Sequence, residues 1–390
     1  MKGFLIFQLI LLSVLFRINN QQQNSENKIQ AAENLKNIEL NGTAYSRGFT
    51  HGQTLASEID TIIERWKKEV ESSFETDFEN VICSFFEKTT MVDTIKKYCP
   101  ELLDEVKGIA DGAGQKYKTV LALQMSEEIE NAGEYLVEAK CTSVSSSKTK
   151  EQPTIVAQNM DPTAFLQGFP TLLHIKGEKN QPESYVFTFP GFIGLCGLSK
   201  NVAVACNGIS MLNHRRDGLP VAFVLRSLLV QNNENEAFDF VQNIPHATPQ
   251  CYTIGGTTAA KCFECSANSK VAFYPFENNT VTLHTNFANV NRDFNQKYIH
   301  LLAEYGKTID DPYFCPRYFL AFDKIKETGF YLNWENIREI LSLTEPEIHP
   351  ISNDETYGCL IIEMKENPVL HFAPGKPNET EFLTFQINAP

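Results

Sequence analysis

Residues 141–161 read CTSVSSSKTKEQPTIVAQNMD. A Cys among small hydroxyl residues opens a weakly alternating run, Thr142 to Ser147. A polar connector, Lys148 to Gln152, leads into the β-rich run Thr154 to Gln158 and then Asn159-Met160-Asp161. Two short extended runs around a polar connector predict a β-hairpin. With its turn centred near Lys150, position 141 faces position 159, which sets Cys141 beside Asn159 and Asp161. A Cys at the head of a strand is also placed to become a new N-terminus. Breaking the Lys140–Cys141 bond would put a thiol and a free α-amine on one residue. That amine, with an unperturbed pKa of about 7.7–8.0, can serve as the base for its own thiol.

Order along the chain changes at this stretch. Upstream, Leu55, Ile59, Ile62, Ile63, Trp66 and Val70 form one helical stripe. A second helix is expected from Pro100 through Leu103, Val106, Ile109 and Ala110, ended by Gly112 and Gly114. A third covers 120–131. Downstream, strands are expected at 184–189, 192–196, 202–206, 261–265, 271–275 and 281–285, and again at 358–364, 369–373 and 381–387. Helices are expected at 220–230, 235–244, 318–327 and 333–343. Helices between groups of strands predict an α+β fold with two sheets packed inside two helical layers.

Length and charge narrow the class. The 390 residues are enough to bury a large core. A net charge of −14 argues against a nucleic-acid partner, because phosphate binding needs a positive face. Lys2, the apolar run Phe4 to Phe16 and polar residues from Arg17 predict a signal peptide over 1–20, too short for a membrane span. A polar lead-in follows over 20–35. The α segment is then 21–140 and the catalytic segment 141–390. Sequons at Asn41, Asn278 and Asn378 agree with a secretory route. In that setting some of the ten cysteines are expected in disulfides; setting Cys141 aside leaves nine, so at least one more stays free. Cys206, in an apolar strand, reads as a small buried hydrophobe.

No metal site is expected. Cys262 and Cys265 form a C-x-x-C, but on a strand an odd separation turns the two side chains to opposite faces. The histidines form no H-x-x-x-H pair, no Gly-rich loop suits a phosphate, and nothing calls for a cofactor.

Several segments together resemble the family typified by isopenicillin-N acyltransferase, among the N-terminal-nucleophile hydrolases. The chain is more distantly similar to bile-salt hydrolases and penicillin V acylases. The segments are Arg47-Gly48 with His51-Gly52, 103–114, Cys141-Thr142-Ser143, Asn159-Met160-Asp161, Asn207, Phe263-Glu264-Cys265-Ser266, His284-Thr285-Asn286 and Gly375-Lys376-Pro377. The likeness runs from about residue 38 to the C-terminus and implies a four-layer αββα sandwich with a mainly helical N-terminal segment.

It also implies autocatalytic cleavage between Lys140 and Cys141, leaving α and β chains, with Cys141 as nucleophile. Asp161 matches the Asp that orients the nucleophile and its amine; before Pro162 it also reads as a turn residue. Asn207 matches an oxyanion donor, although Asn207-Gly208 is equally a turn signal. Asn286 matches another site Asn or is a loop residue. Arg317, in Cys315-Pro316-Arg317-Tyr318, matches a site Arg of the bile-salt hydrolase branch or is a surface Arg at a helix start. Arg226 matches a recurring Arg and reads as structural. Two departures stand out. Lys140 replaces the Gly, Asp or Asn usual before the Cys, and Gln158 stands where bile-salt hydrolases carry Arg.

The implied activity is hydrolysis of a linear N-acyl amide through a Cys141 thioester, or transfer of the acyl group with an acyl-CoA or an amine acyl acceptor as partner. The setting is secreted or lysosomal. The rivals are a lysosomal lipid amidase of the acid-ceramidase type and a secreted, non-catalytic binding protein.

Overall fold

A computed structural model describes residues 33, 35–132, 140–178, 181–278, 280–311 and 315–388. The expected leader at 1–20, and nearly all of the polar lead-in, lie outside the described residues.

Strand β1 (Lys36–Leu40) comes first. Helices follow: α1 (Ala44–Thr54), α2 (Ala56–Phe74), α3 (Phe78–Lys88), α4 (Met91–Tyr98), α5 (Glu101–Ala113), α6 (Tyr117–Leu123) and α7 (Ser126–Ala132). The predicted stripe is the buried face of α2: Ile59, Ile62, Ile63 and Trp66 are fully buried. Helices α3 and α4 escape the sequence reading, although Asp77 caps α3 by accepting the Glu79 amide at 2.9 Å.

The hairpin is β2 (Thr142–Ser146) and β3 (Thr154–Met160). Next come β4 (Thr171–Ile175), β5 (Ser184–Thr188), β6 (Cys196–Ser199), β7 (Ala203–Gly208), α8 (Val221–Leu228) and α9 (Glu234–Asn243). The chain continues through β8 (Gln250–Gly255), β9 (Ala260–Cys265), β10 (Lys270–Phe273), β11 (Val281–His284), α10 (Gln296–Glu304), α11 (Pro316–Glu327) and α12 (Trp334–Leu341). It closes with β12 (Gly358–Met364), β13 (Val369–Ala373) and β14 (Leu383–Gln386).

Two sheets result, ordered β1-β4-β5-β6-β7-β8-β9-β10 and β11-β2-β3-β12-β13-β14. They stack where β2 and β3 meet β7 and β8. Helices α8 and α9 cover the larger sheet, and α11 and α12 the smaller. The four-layer αββα sandwich expected from the sequence is therefore the architecture found. The N-terminal segment also supplies an edge strand, because β1 pairs in parallel with β4.

The hairpin register corrects the sequence reading by one residue. Thr142, not Cys141, faces Asn159. A one-residue slip moves each side chain to the other face of the sheet. Ile155 and Ala157 pack outward against α11 and α12, and Asn159 follows them. Gln158 and Met160 turn inward toward the larger sheet.

The motifs around Gly48 and Gly108 form a helix crossing. A Cβ on Gly48 would sit 1.9 Å from the Glu105 carbonyl oxygen, and one on Gly108 2.2 Å from that of Tyr45. Backbone therefore lies directly on backbone between α1 and α5. Beside the crossing, Glu105 is buried between two arginines. Arg47 Nη2 reaches its Oε2 at 3.1 Å and Arg226 Nη2 at 3.0 Å. That triad ties α1 and α5 to α8. His51, buried and held neutral with its pKa pulled down to about 3, accepts the Gly191 amide at 3.0 Å.

Candidate active site

Cys141 lies one residue ahead of β2, in the middle of the smaller sheet and facing the larger one. Its thiol is buried, with the Asp161 backbone and carboxylate among the groups that act on it. Burial, then the neighbouring Asp161 carboxylate, pushes the thiol up to about 12; the Asp161 amide and Arg317 act the other way. Without a base the thiol is therefore protonated at any physiological pH.

Asp161 is buried just beyond β3. Asn353 donates to its Oδ2 at 2.7 Å, while its Oδ1 has no partner. Burial raises this carboxyl to about 6, against the pull of Asn353, Thr356 and Arg317.

Asn207, at the end of β7, comes from the opposite sheet. Its Oδ1 accepts from Ser143 Oγ at 2.6 Å, on the inner face that Cys141 shares. Its Nδ2 is buried without an acceptor. An unpaired buried donor costs free energy and is able to pair with an acceptor that the protein itself does not supply.

Arg317 approaches from the outer helical layer, in the first turn of α11. Its Nη1 donates to the carbonyl oxygens of Lys140 and of Cys141, the latter at 2.8 Å, and to Thr142 Oγ1 at 3.1 Å. Its Nη2 donates to Asn286 Oδ1 at 3.3 Å, and Asn286 Nδ2 in turn donates to the Gly208 carbonyl at 3.2 Å. Arg317 is thus no free surface residue and Asn286 no free loop residue.

Two spaces flank the Lys140–Cys141 peptide. Behind the thiol lies a mostly apolar cavity of about 130 Å³, lined by Cys141, Met160, Asp161, Phe189, Phe192 and Leu195 among others. On the Lys140 side lies a polar groove of about 460 Å³ that includes Arg317, Asn353 and Glu355. Lys140 Nζ pairs there with Glu355 at 2.8 Å.

The structure brings Cys141, Asp161, Asn207, Asn286 and Arg317 to one place and takes Asn159 out of it. Asn159 donates to the carbonyls of Leu341 and Ile351 in the outer layer. Gln158 instead bridges the sheets. Its Nε2 donates to the Cys206 carbonyl, and its Oε1 accepts from Cys196 Sγ and the Cys206 amide. Ser143 and Asn353 support the site; Ser143 stands out in the sequence only as part of the Cys141-Thr142-Ser143 segment, and nothing in the local sequence singles out Asn353.

Each of the ten cysteines is a free thiol. Cys251 and Cys262 face each other with sulfurs 2.7 Å apart. Cys262 and Cys265 enter different hydrophobic clusters, on opposite faces of β9. Among the described residues no helix is long and apolar enough to cross a membrane. Asn41, Asn278 and Asn378 are all exposed.

No family model matches the chain. Over 231 residues it is 30% identical to the protein dcd1A of Dictyostelium discoideum, covering 52% of this chain and 51% of that protein. Over 234 residues it is 23% identical to dcd1B of the same organism, covering 53% and 45%. The chain thus spans about half the length of the curated relatives it matches. Among solved structures it is similar to a Caenorhabditis elegans N-acylethanolamine-hydrolyzing acid amidase ortholog, with TM-score 0.41 and 20% identity over 57% of this chain and 92% of that one.

Proposed function

We propose that the protein is an N-terminal-cysteine amidohydrolase that matures by cutting itself between Lys140 and Cys141. The observation that carries this reading is the set of groups gathered around the Lys140–Cys141 peptide. Arg317 donates to the Lys140 carbonyl, and the next residue carries a buried thiol beside Asp161.

In maturation, the Cys141 sulfur attacks the Lys140 carbonyl carbon. The C–N bond breaks, the Cys141 nitrogen takes a proton and becomes an amine, and a thioester joins Lys140 to the sulfur. Water then releases the Lys140 carboxylate and restores the thiol. Arg317 stabilises the oxyanion in the first step. The new α-amine can donate an N–H to Asp161 Oδ1, which otherwise has no partner.

In turnover, the Cys141 α-amine takes the thiol proton and the sulfur attacks the amide carbon of the substrate. Asn207 Nδ2 donates to the oxyanion. The C–N bond breaks, the leaving amine accepts the proton, and an acyl thioester remains. Water hydrolyses it, or an amine acceptor takes the acyl group.

The substrate class is a small N-acyl amide. The apolar cavity behind Cys141 favours an apolar acyl group, and so a lipid-type amide over a polar one. The exposed sequons favour passage through the secretory pathway to a secreted or lysosomal location. The test is to incubate cleaved protein with N-acyl amides and look for an acyl adduct on the Cys141 peptide that hydroxylamine removes. An adduct supports the thioester. Hydrolysis that persists in Cys141→Ala removes the thiol from the mechanism.

A further inference from the structure

The apolar cavity behind Cys141 has a neighbour. Glu130 on α7 and Thr163 line it, and the same two residues line a second cavity of about 200 Å³. The second lies under α2, walled by Trp66, Val70 and Phe74, with Glu69 and Ser73 also on its lining. Ser73 is exposed, so this space reaches the surface. The two cavities therefore adjoin across Glu130 and Thr163, the place where any passage from the thiol side to the rim of α2 runs.

The chemistry of that passage is unusual. Glu130 lies within electrostatic reach of Glu69 and Glu128, and among the described residues no Lys or Arg belongs to the groups acting on it. Burial, then these neighbouring carboxylates, raises it to about 8. In acidic and neutral solution it is thus mainly an uncharged acid, which an alkyl chain can pass at far lower cost than an ion.

Resting on the amidase reading above, we propose that the second cavity takes the distal part of a long alkyl chain whose acyl carbon is bound at Cys141. Glu130 is the residue that sets how far the chain reaches. Short acyl groups fill only the first cavity; longer ones continue past Glu130 onto Val70 and Phe74, burying further methylenes.

The test uses cleaved protein and amides of one amine with acyl groups from butanoyl to hexadecanoyl. Wild type is expected to favour hexadecanoyl over butanoyl in kcat/KM by about ten-fold or more. Glu130→Trp, which fills the passage, should lower that ratio at least about ten-fold, and Glu130→Ala should not lower it. Ser73→Trp at the exposed rim is the second obstruction, should Glu130→Trp fail to fold. In parallel, calorimetry with hexadecanoic and butanoic acids on the uncut Cys141→Ala protein reads the cavities without catalysis. Tight hexadecanoate binding that an obstruction abolishes, with no amide hydrolysed by wild type, would uphold the path and sink the amidase. Hydrolysis with the same chain-length ratio in wild type and both obstructed variants would overturn the path and leave the amidase. Equal binding of the two acids would also overturn it.

Discussion

Arg317 Nη1 lies 2.8 Å from the carbonyl oxygen of Cys141 and also bonds that of Lys140, so one guanidinium spans the peptide proposed to break. The thiol leaves the strand on the opposite face, toward the larger sheet. Arg317 and the thiol thus lie on opposite sides of the peptide.

This arrangement makes Arg317 more than a charge. It serves three acceptors through Nη1 and Asn286 through Nη2. A single ammonium cannot reproduce that fork. Arg317→Lys and Arg317→Ala should both slow self-cleavage about a hundred-fold, followed by intact mass over time. A rate within three-fold of wild type in Arg317→Ala would rule the guanidinium out of the step.

Asn207 is predicted to act in turnover. Its unpaired Nδ2 is the candidate oxyanion donor, and Asn207→Ala in cleaved protein should lower kcat about 10²–10³-fold. That change also strips Ser143 Oγ of its acceptor. Ser143→Ala separates the two effects: it should cost stability and leave kcat within a few-fold. Equal loss of kcat in both variants would make Asn207 a structural residue.

The triad of Arg47, Glu105 and Arg226 should hold the N-terminal helices on the sandwich. Glu105→Ala leaves two guanidinium groups buried without their anion, and about 3–5 kcal/mol should be lost in urea unfolding. If cleavage has occurred, the two chains should also separate more readily on size exclusion. Unchanged unfolding would show that the arginines find other partners.

Stability should depend on pH through α7. Glu127 and Glu130 are each raised from 4.5 to about 8, by burial first and by neighbouring carboxylates next. A raised carboxyl favours the folded state while protonated. Its contribution is complete below about pH 4.5 and is lost as pH rises through 8. Both side chains are only half-buried, so solvent trims the effect. The Tm of Cys141→Ala should fall between pH 5 and 8.5, and the added pair Glu127→Gln and Glu130→Gln should flatten that fall by a few degrees. An identical Tm profile in both proteins would place the sensitivity elsewhere.

Much of this fold was legible because helices and strands carry different periods. The stripe of α2 and the strand–helix order after Cys141 follow from that alone. The hairpin was legible but its register was not. Strand β3 is buried on both faces, with Ile155 and Ala157 against helices and Val156 against the other sheet. Such a strand shows no alternation to fix its phase, and a turn placed half a residue off turned Asn159 inward. Strands β4 and β8 and helices α1, α3, α4 and α10 went unread, and the strand expected at 192–196 lies at Cys196–Ser199 instead. Cys141 and Asp161 were visible near each other in sequence. Arg317 and Asn207 arrive from other layers and Asn286 from the loop after β11 in the same sheet, all far from Cys141 in sequence, so family likeness was what pointed to them. Asn353, which holds Asp161 from 192 residues away, had no local signal.

The most direct test of self-activation is the mass and N-terminal sequence of the purified, denatured protein and of Cys141→Ala, each held across acidic and neutral pH. Wild type should give two chains, one ending at Lys140 and one beginning Cys141-Thr142-Ser143, while Cys141→Ala stays whole across 140–141. A wild-type chain uncut there at every pH, or a Cys141→Ala chain cut there as well, would contradict the account.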